Sequence, residues 1–114
     1  MGNYSGSLDS AFNALSDPTR RAMVSRLIEC DATVKELAEP FSVGLPTILK
    51  HLKVLEDSGL VSSRKVGRVR TCSIEAKRLT EVEKWISHRL KQWESRIDRF
   101  THYVETLHNS KAKT

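Results

Sequence analysis

Apolar residues recur at intervals of three and four along most of the chain, which is the spacing of one face of an α-helix. The spacing predicts a first helix over residues 7–15 and a second over about 18–30. A third short helix is expected to begin after Thr33 and to end at Pro40, and a fourth spans 45–58. The first half of the chain is therefore predicted to be almost entirely helical.

Start and stop signals accompany these helices. Asp17 precedes Pro18, a combination that favours an N-cap followed by the first helical residue. Thr33 and Glu36 have the spacing of a capping box, in which each side chain accepts a hydrogen bond from the other residue's backbone N–H. Gly59 follows the fourth helix and is typical of a helix C-terminus. These signals define the helix ends more closely than apolar spacing alone.

Two runs rich in Val, Ser and Thr interrupt the helical pattern over residues 60–66 and 69–74. Gly67 and Arg68 separate them, and a glycine in the first position suits a two-residue hairpin turn. The runs therefore predict a two-stranded β-hairpin. Basic residues cluster near its tip, so the hairpin is interpreted as a wing that grips a phosphate backbone.

An apolar seam follows over residues 79–107, where one position in every three or four is apolar. This spacing suits packing against another helix. Such a helix is roughly 43 Å long at about 1.5 Å per residue, which is longer than one small domain can cover. We therefore expect a second copy of the chain to bury the seam across a two-fold axis. The predicted dimer-interface residues are Leu8, Phe12, Ile86, Leu90, Trp93, Ile97, Phe100 and Val104.

The predicted fold is mainly α with a small two-stranded β-hairpin, a winged helix-turn-helix with a long C-terminal dimerisation helix. It forms a single domain over 7–107, with the helix-turn-helix at 33–58 and the wing at 60–74. The back of the fourth helix is apolar at helical spacing, at Ile48, Leu52 and Leu55. Its front is polar and basic, which fits a B-DNA major groove.

Charge is concentrated in the same region. The chain has a net charge of +5, and residues 41–78 hold eight Lys or Arg against three Asp or Glu, whereas the remaining residues hold eleven of each. Such a footprint indicates a polyanion binder. We expect Thr47, Leu49 and Lys50 to read base edges. The residues expected to position the phosphates are Ser42, His51, Lys53, Arg64, Arg68 and Arg70. The predicted DNA-binding residues are Ser42, Leu45, Thr47, Leu49, Lys50, His51, Lys53, Arg64, Arg68 and Arg70.

The sequence offers little support for catalytic, metal-binding or membrane functions. No nucleophile–base pair or phosphate-cradling glycine loop occurs, so neither enzymatic activity nor a cofactor is predicted. His88 and His102 would lie about 21 Å apart on one helix, which argues against a metal site. Cys30 and Cys72 form no CxxC motif, and there is neither a signal peptide nor an apolar run of membrane-spanning length. We therefore expect a cytoplasmic protein without membrane contact.

Residues 8–107 resemble the ArsR/SmtB family of winged-helix repressors. The strings that carry the resemblance are Leu15-Ser-Asp-Pro-Thr-Arg-Arg21, Thr33-Val-Lys-Glu-Leu-Ala38, Leu45-Pro-Thr-Ile-Leu-Lys-His-Leu-Lys-Val-Leu55 and Ser58-Gly-Leu-Val61. The resemblance implies a homodimer that represses its target by occupying operator DNA, with an operator near its own gene. It names no inducer.

The chain departs from that family at the third helix and at the start of the fourth. Metal-sensing members carry a Cys-Val-Cys string where this chain has Thr33-Val34-Lys35, so the resemblance is to a subgroup that does not sense metal. Family members usually carry Ser where this chain has Gly44 and Leu49. Leu49 would replace a hydrogen bond with an apolar contact, such as one to a thymine methyl.

Three hypotheses follow. The first is a sequence-specific, dimeric transcriptional repressor. The second is a winged-helix interaction module that no longer binds DNA and acts through its helical seam, although the local excess of positive charge argues against it. The third is a thiol- or metal-responsive repressor, since cations near Cys72 would favour its thiolate.

Overall fold

The computed structural model describes the backbone of residues 3–112 and the side chains of residues 7–111. Five α-helices and three β-strands make up the described chain, which divides into two compact units between Val82 and Glu83. In chain order the elements are α1 (Asn3–Ala14), α2 (Pro18–Glu29), β1 (Ala32–Thr33), α3 (Val34–Ala38), α4 (Leu45–Asp57), β2 (Val61–Val66), β3 (Val69–Ile74) and α5 (Ala76–Ala112). The winged helix-turn-helix prediction is confirmed, with α3 and α4 followed by the β2–β3 hairpin.

The predicted caps are present. The Asp17 carboxylate accepts a hydrogen bond from the backbone N–H of Arg20 at 3.0 Å. The Glu36 N–H donates to the Thr33 hydroxyl at 3.1 Å, and the Thr33 N–H donates to the Glu36 carboxylate at 2.8 Å. These bonds satisfy backbone donors that the first turn of a helix leaves without intrahelical partners. They explain why α2 and α3 begin where the sequence indicated.

The end of α4 is set by Gly59, which has a φ of +80° that favours glycine. The Leu60 N–H reaches back to the Leu55 carbonyl at 3.2 Å, and the Gly59 N–H donates to the Glu56 carbonyl at 3.0 Å. This pair of bonds is a Schellman motif. It ends α4 and starts β2 two residues after Gly59, so the hairpin is joined directly to the helix.

The prediction of a two-stranded hairpin was incomplete, because the sheet has three strands in the order β1-β3-β2. Ala32 pairs with Cys72 and Thr33 with Thr71, both antiparallel. A two-residue strand leaves no alternating pattern, and its pairing depends on residues about forty positions away. The sequence therefore carried no signal for β1.

The predicted helix ends were also too narrow at both termini. The first helix begins at Asn3 rather than residue 7, and the last spans Ala76–Ala112 rather than 79–107. The predicted domain bounds of 7 and 107 stay predictions.

The core of the first unit draws on α1, α2, α3, α4, the sheet and the start of α5. Its buried apolar residues are Ala11, Ala14, Met23, Val24, Leu27, Ala32, Leu37, Ile48, Leu52, Leu55, Leu60, Val61, Cys72 and Val82. Leu8 and Phe12, two predicted interface residues, are half-buried and pack against this core. The core therefore holds α4 from behind.

The second unit consists of the helical residues from Glu83 onward, and its large apolar side chains are exposed. They include the predicted seam positions from Ile86 to Leu107. Within the described residues, no helix is both long and apolar enough to cross a membrane.

Candidate nucleic-acid interface

The fourth helix has two chemically different faces. Ile48, Leu52 and Leu55 have no exposed surface, so its back is sealed into the core. Thr47 and Lys50 are exposed on the other side. The core fixes the helix from behind, and the front side chains are free to meet a ligand. This is the arrangement by which a recognition helix enters a major groove.

The N-terminal end of α4 is open to solvent. Gly44 is its N-cap, and no side chain caps the first turn. Ser42 just before it is exposed. Leu45 is 51% exposed and Leu49, one turn later, is 39% exposed. All four predicted contacts of this end, Ser42, Leu45, Thr47 and Leu49, therefore lie on accessible surface.

Lys53, one turn after Leu49, is also exposed. Its Nζ lies 3.3 Å from the Asp57 carboxylate, in an ion pair whose side chains are 77% and 67% exposed. An ion pair this exposed contributes little to stability and is easily exchanged for another anion. Lys53 therefore remains available to a phosphate.

His51 occupies the edge of α4 rather than its front. Its side chain is 20% exposed, and its Nδ1 lies 3.2 Å from Arg20 Nη1 and 3.9 Å from the Asp17 carboxylate. Arg20 also donates to the carbonyl of Ala14 at 2.7 Å. One guanidinium thus joins the end of α1 and the start of α2 to α4. His51 has protein partners on its Nδ1 side, and its predicted DNA contact stays a prediction.

The contacts of Arg20 with Ala14 and His51 show that it is not simply a solvated surface residue. The same cluster affects Asp17, because the Arg20 N–H and the nearby His51 ring hold the pKa of that carboxyl below its ordinary value.

A second polar cluster ties the hairpin to α4. Arg70 on β3 forms an ion pair with Glu56 on α4 at 2.5 Å, and its Nε donates to the Ser63 hydroxyl on β2 at 2.9 Å. Ser63 in turn donates to the second oxygen of Glu56. Three elements meet at one carboxylate, so the hairpin is held in a defined position beside the helix. The positive charge of Arg70, predicted to meet phosphate, is matched within the protein.

The hairpin tip carries a further part of the basic surface. Arg64, Lys65 and Arg68 are exposed. Val66 pairs with Val69 across the two-residue turn, and Gly67 adopts a φ of +62°. This matches the turn predicted from a leading glycine. Val66 and Val69 are 70% and 52% exposed, so the tip also presents apolar surface that charge analysis overlooked.

The predicted interface residues of α5 are all accessible. The exposed fraction is 55% for Trp93 and 65% for Phe100, the two largest in the centre of the seam. The remaining predicted positions, Ile86, Leu90, Ile97 and Val104, are 43–53% exposed. Arg96 lies over the Trp93 ring with its guanidinium carbon 5.5 Å from the ring centroid, a cation–π contact on the same helix. An apolar row of this length on one helix is typical of a protein–protein interface.

The thiol chemistry expected near the wing lacks a structural basis. Cys72 has no exposed surface, and burial raises its pKa although the neighbouring Arg70 opposes the shift. A buried thiol of raised pKa is a poor nucleophile. Cys30 is exposed, and its Sγ lies 3.2 Å from Arg26 Nη1. Among the residues that the structure describes, no three His, Cys, Asp or Glu side chains come together to hold a metal ion.

Sequence reasoning missed the residues that position the interface, namely Arg20, Glu56 and Ser63. Each contacts a residue on a different secondary-structure element, six to thirty-one positions away in sequence. The excess of positive charge in residues 41–78 predicted exposed basic residues. No local sequence motif indicates that an acidic residue such as Glu56 holds one of them in place.

Comparisons with known proteins agree with this geometry. A family model described as a helix-turn-helix domain matches residues 15–64. The HTH-type transcriptional regulator Rv2034 of Mycobacterium tuberculosis is 42% identical over 67 residues, which are 59% of this chain and 63% of that protein. The match therefore spans less than two thirds of that relative's length.

Two further matches cover a larger share of both this chain and the similar protein. The transcriptional repressor SdpR of Bacillus subtilis is 30% identical over 79 residues, covering 69% of this chain and 88% of that protein. The crystal structure of an ArsR family transcriptional regulator, RHA00566, is 49% identical and superposes with a TM-score of 0.75, covering 83% of this chain and 98% of that one. These relatives are transcriptional regulators rather than enzymes. The chain belongs to the ArsR/SmtB family of winged helix-turn-helix regulators.

Proposed function

We propose that this chain is a homodimeric transcriptional repressor that binds a specific operator, with α4 in the major groove and the β2–β3 hairpin against the DNA backbone. The observation that carries the proposal is the division of α4 into a fully buried back and an accessible front. Ile48, Leu52 and Leu55 fix the helix, and Thr47 and Lys50 stand on its exposed side. A rigidly held helix can place side chains against base edges with the accuracy that direct readout requires.

Electrostatics supports DNA as the ligand. The whole net charge of +5 resides in residues 41–78, which include α4 and the hairpin. Arg64, Lys65 and Arg68 are exposed at the hairpin tip, so they can approach phosphates. Arg70 and Glu56 hold the hairpin beside α4. Helix and hairpin would therefore meet one duplex together, the helix reading bases and the hairpin fixing its register.

The seam on α5 supports a dimer. Its apolar side chains from Ile86 to Val104 are about half exposed, and a second copy of the same seam would bury them. A two-fold dimer presents two α4 helices, which must lie about one DNA turn apart, roughly 34 Å, to bind adjacent half-sites. Operator binding would therefore depend on the seam. The interaction-module hypothesis uses the same exposed seam as its binding surface, and the dimer gives that seam a role without a further partner.

Repression is supported by the named role of SdpR, a transcriptional repressor. A repressor that covers its operator needs no catalytic group. We further propose that the operator lies upstream of the protein's own gene. A thiol response at Cys72 is not favoured, because that side chain is fully buried.

The test is a titration of the purified full chain with a labelled duplex from the region upstream of its gene, followed by footprinting. We expect a protected segment with two-fold symmetric half-sites and an affinity at least about a thousandfold above that for a scrambled duplex. The logarithm of the affinity should fall linearly with the logarithm of the salt concentration. Equal affinity for both duplexes at every salt concentration would contradict sequence-specific binding.

A further inference from the structure

Two leucines near the start of α4 are accessible to solvent. Leu45 is 51% exposed and Leu49 39%, whereas Leu52 and Leu55 of the same helix have no exposed surface. Because they are four residues apart, Leu45 and Leu49 lie one above the other on one face. The helix therefore carries a second, smaller apolar surface that the core does not use.

The surroundings of this pair indicate what covers it. Lys53 is exposed one turn after Leu49 on the same face of the helix, and Lys50 is exposed next to Leu49 in sequence. The occupant must therefore offer anionic groups to the lysines and small apolar groups to the leucines. A protein surface with apolar side chains would meet the second demand, but the positive charge of residues 41–78 favours a polyanion. In the major groove of B-DNA, thymine is the base that presents a methyl group.

We propose that Leu45 and Leu49 select thymine, each by contact with one thymine C5-methyl group in the operator half-site. The inference rests on the proposed function and adds the base that this face recognises. Four residues of α-helix rise about 6 Å. Successive bases of one strand are about 3.4 Å apart along the duplex. For a helix that lies along the groove, the two methyl groups should therefore belong to base pairs about two steps apart.

The expected effect of one methyl group follows from burial. Covering one methylene-sized group contributes enough free energy to change affinity about fourfold. Losing both contacts in one half-site should lower affinity about fifteenfold if the two act independently. An effect of this size is measurable in an equilibrium titration and small enough to leave binding intact.

The experiment begins with the full-length protein selecting duplexes from a random library. In the selected duplex, each thymine is replaced singly by deoxyuridine, which removes the methyl group and keeps base pairing and the O4 acceptor. We expect two positions in each half-site, about two steps apart, where the replacement lowers affinity about fourfold. All other thymines should be insensitive.

Protein variants assign each methyl to its leucine. Leu49→Asn and Leu45→Asn replace an exposed leucine by a polar side chain of similar size, so the fold should be retained. Each variant should lose the deoxyuridine effect at one position and keep it at the other. Ile28→Asn is the matched control, because Ile28 is 59% exposed on α2, outside the interface, and the change should leave both effects in place.

Three outcomes would overturn the proposal. Deoxyuridine at every thymine could change affinity less than 1.5-fold, an effect roughly a third of the one expected. The effects could persist unchanged in both leucine variants. Leu45→Asn and Leu49→Asn could leave DNA affinity intact while raising the dimer dissociation constant, which would assign the pair to a protein contact. Failure to select any duplex above background would instead overturn the proposed function itself, and this pair with it.

Discussion

The back of the fourth helix and the α5 seam have the same apolar periodicity, but the first is buried and the second is exposed. On α4 the apolar residues Ile48, Leu52 and Leu55 have no exposed surface. On α5 Trp93 and Phe100 occupy equivalent helical spacing and are 55% and 65% exposed. The spacing indicates that a helix face needs a partner, but it does not identify whether the partner belongs to the same chain.

The difference lies in what each face stabilises. Removing a side chain from the back of α4 should affect folding at any protein concentration. Removing one from the seam should affect association, whose contribution to stability depends on concentration. Substitutions on the two faces should therefore respond differently to protein concentration.

The largest effect is expected from Trp93→Ala. Truncating an aromatic residue that a dimer buries costs about 3–5 kcal/mol, and a two-fold dimer loses it once in each subunit. Analytical ultracentrifugation should show a shift to monomer, and titration of the same sample should show weaker operator binding. Lys84→Ala, an exposed change on α5 off the seam, is the control. A folded monomer that bound the full operator at wild-type affinity would contradict the dimer.

Leu52→Ala should lower the free energy of unfolding by about 2–5 kcal/mol, because it leaves a cavity behind α4. Leu90→Ala removes the same atoms from a side chain that is 53% exposed. Denaturant unfolding at two protein concentrations separates the two variants. The Leu52→Ala loss should be the same at both, whereas the Leu90→Ala loss should appear only where the dimer forms. If the loss of unfolding free energy depended on protein concentration in the same way for both variants, the two faces would not differ in what they stabilise.

Lys50→Ala changes the accessible front of α4 without touching its back. We expect operator affinity to fall by about 1–3 kcal/mol and base preference to relax at one position, while the unfolding free energy is unchanged. Competition titrations against operator variants measure both. An equal loss of affinity for operator and scrambled DNA would show that Lys50 contacts phosphate instead of a base.

Arg68 and Arg70 differ in whether their charge is already matched. Arg68→Ala should reduce the slope of log affinity against log salt by about one unit, since one fewer counterion is released. Arg70→Ala should change the slope less, because Arg70 pairs with Glu56, and should instead weaken binding by freeing the hairpin. Titrations over a range of salt concentrations decide. Equal slope changes would mean that Arg70 leaves Glu56 for phosphate on binding.

The smallest effect is expected for the stability of the fold at low pH. The pKa of Asp17 is lowered in the folded state, chiefly by the Arg20 N–H, so its cap stabilises the fold above the unfolded pKa and is lost as pH falls through the folded one. Asn caps a helix without titrating. Asp17→Asn should therefore flatten the fall of the thermal midpoint between about pH 5 and pH 3. Asp31→Asn, an exposed acid that caps no helix, is the control, and an equal flattening there would contradict the role of the cap.

The elements that local rules govern were predictable from sequence. Asp17 and the Thr33–Glu36 pair act within one turn, and Gly67 sets a two-residue turn, so each prediction needed only neighbouring residues. The back of α4 was predictable because helical spacing and apolar composition coincide at Ile48 and Leu52.

Long-range contacts were not predictable in the same way. Strand β1 exists because Ala32 meets Cys72, and the hairpin is held because Arg70 reaches Glu56. Neither pairing leaves a periodic trace. Arg20 likewise lies outside the apolar stripe of its helix, so its sequence position gives no sign of a buried role. It contacts Ala14 and His51 only because α1, α2 and α4 meet in the fold.

The two faces of α4 also have a consequence for evolution. Because Leu45, Leu49 and Lys50 are accessible and lie outside the buried core, substitutions there would, under the proposed function, change recognition at little cost in stability. A gene duplicate could therefore acquire a new operator through one or two front-face mutations while Ile48 and Leu52 stay constant. Related proteins of this fold should diverge fastest at these front positions, and their regulatory networks should rewire without any change of architecture.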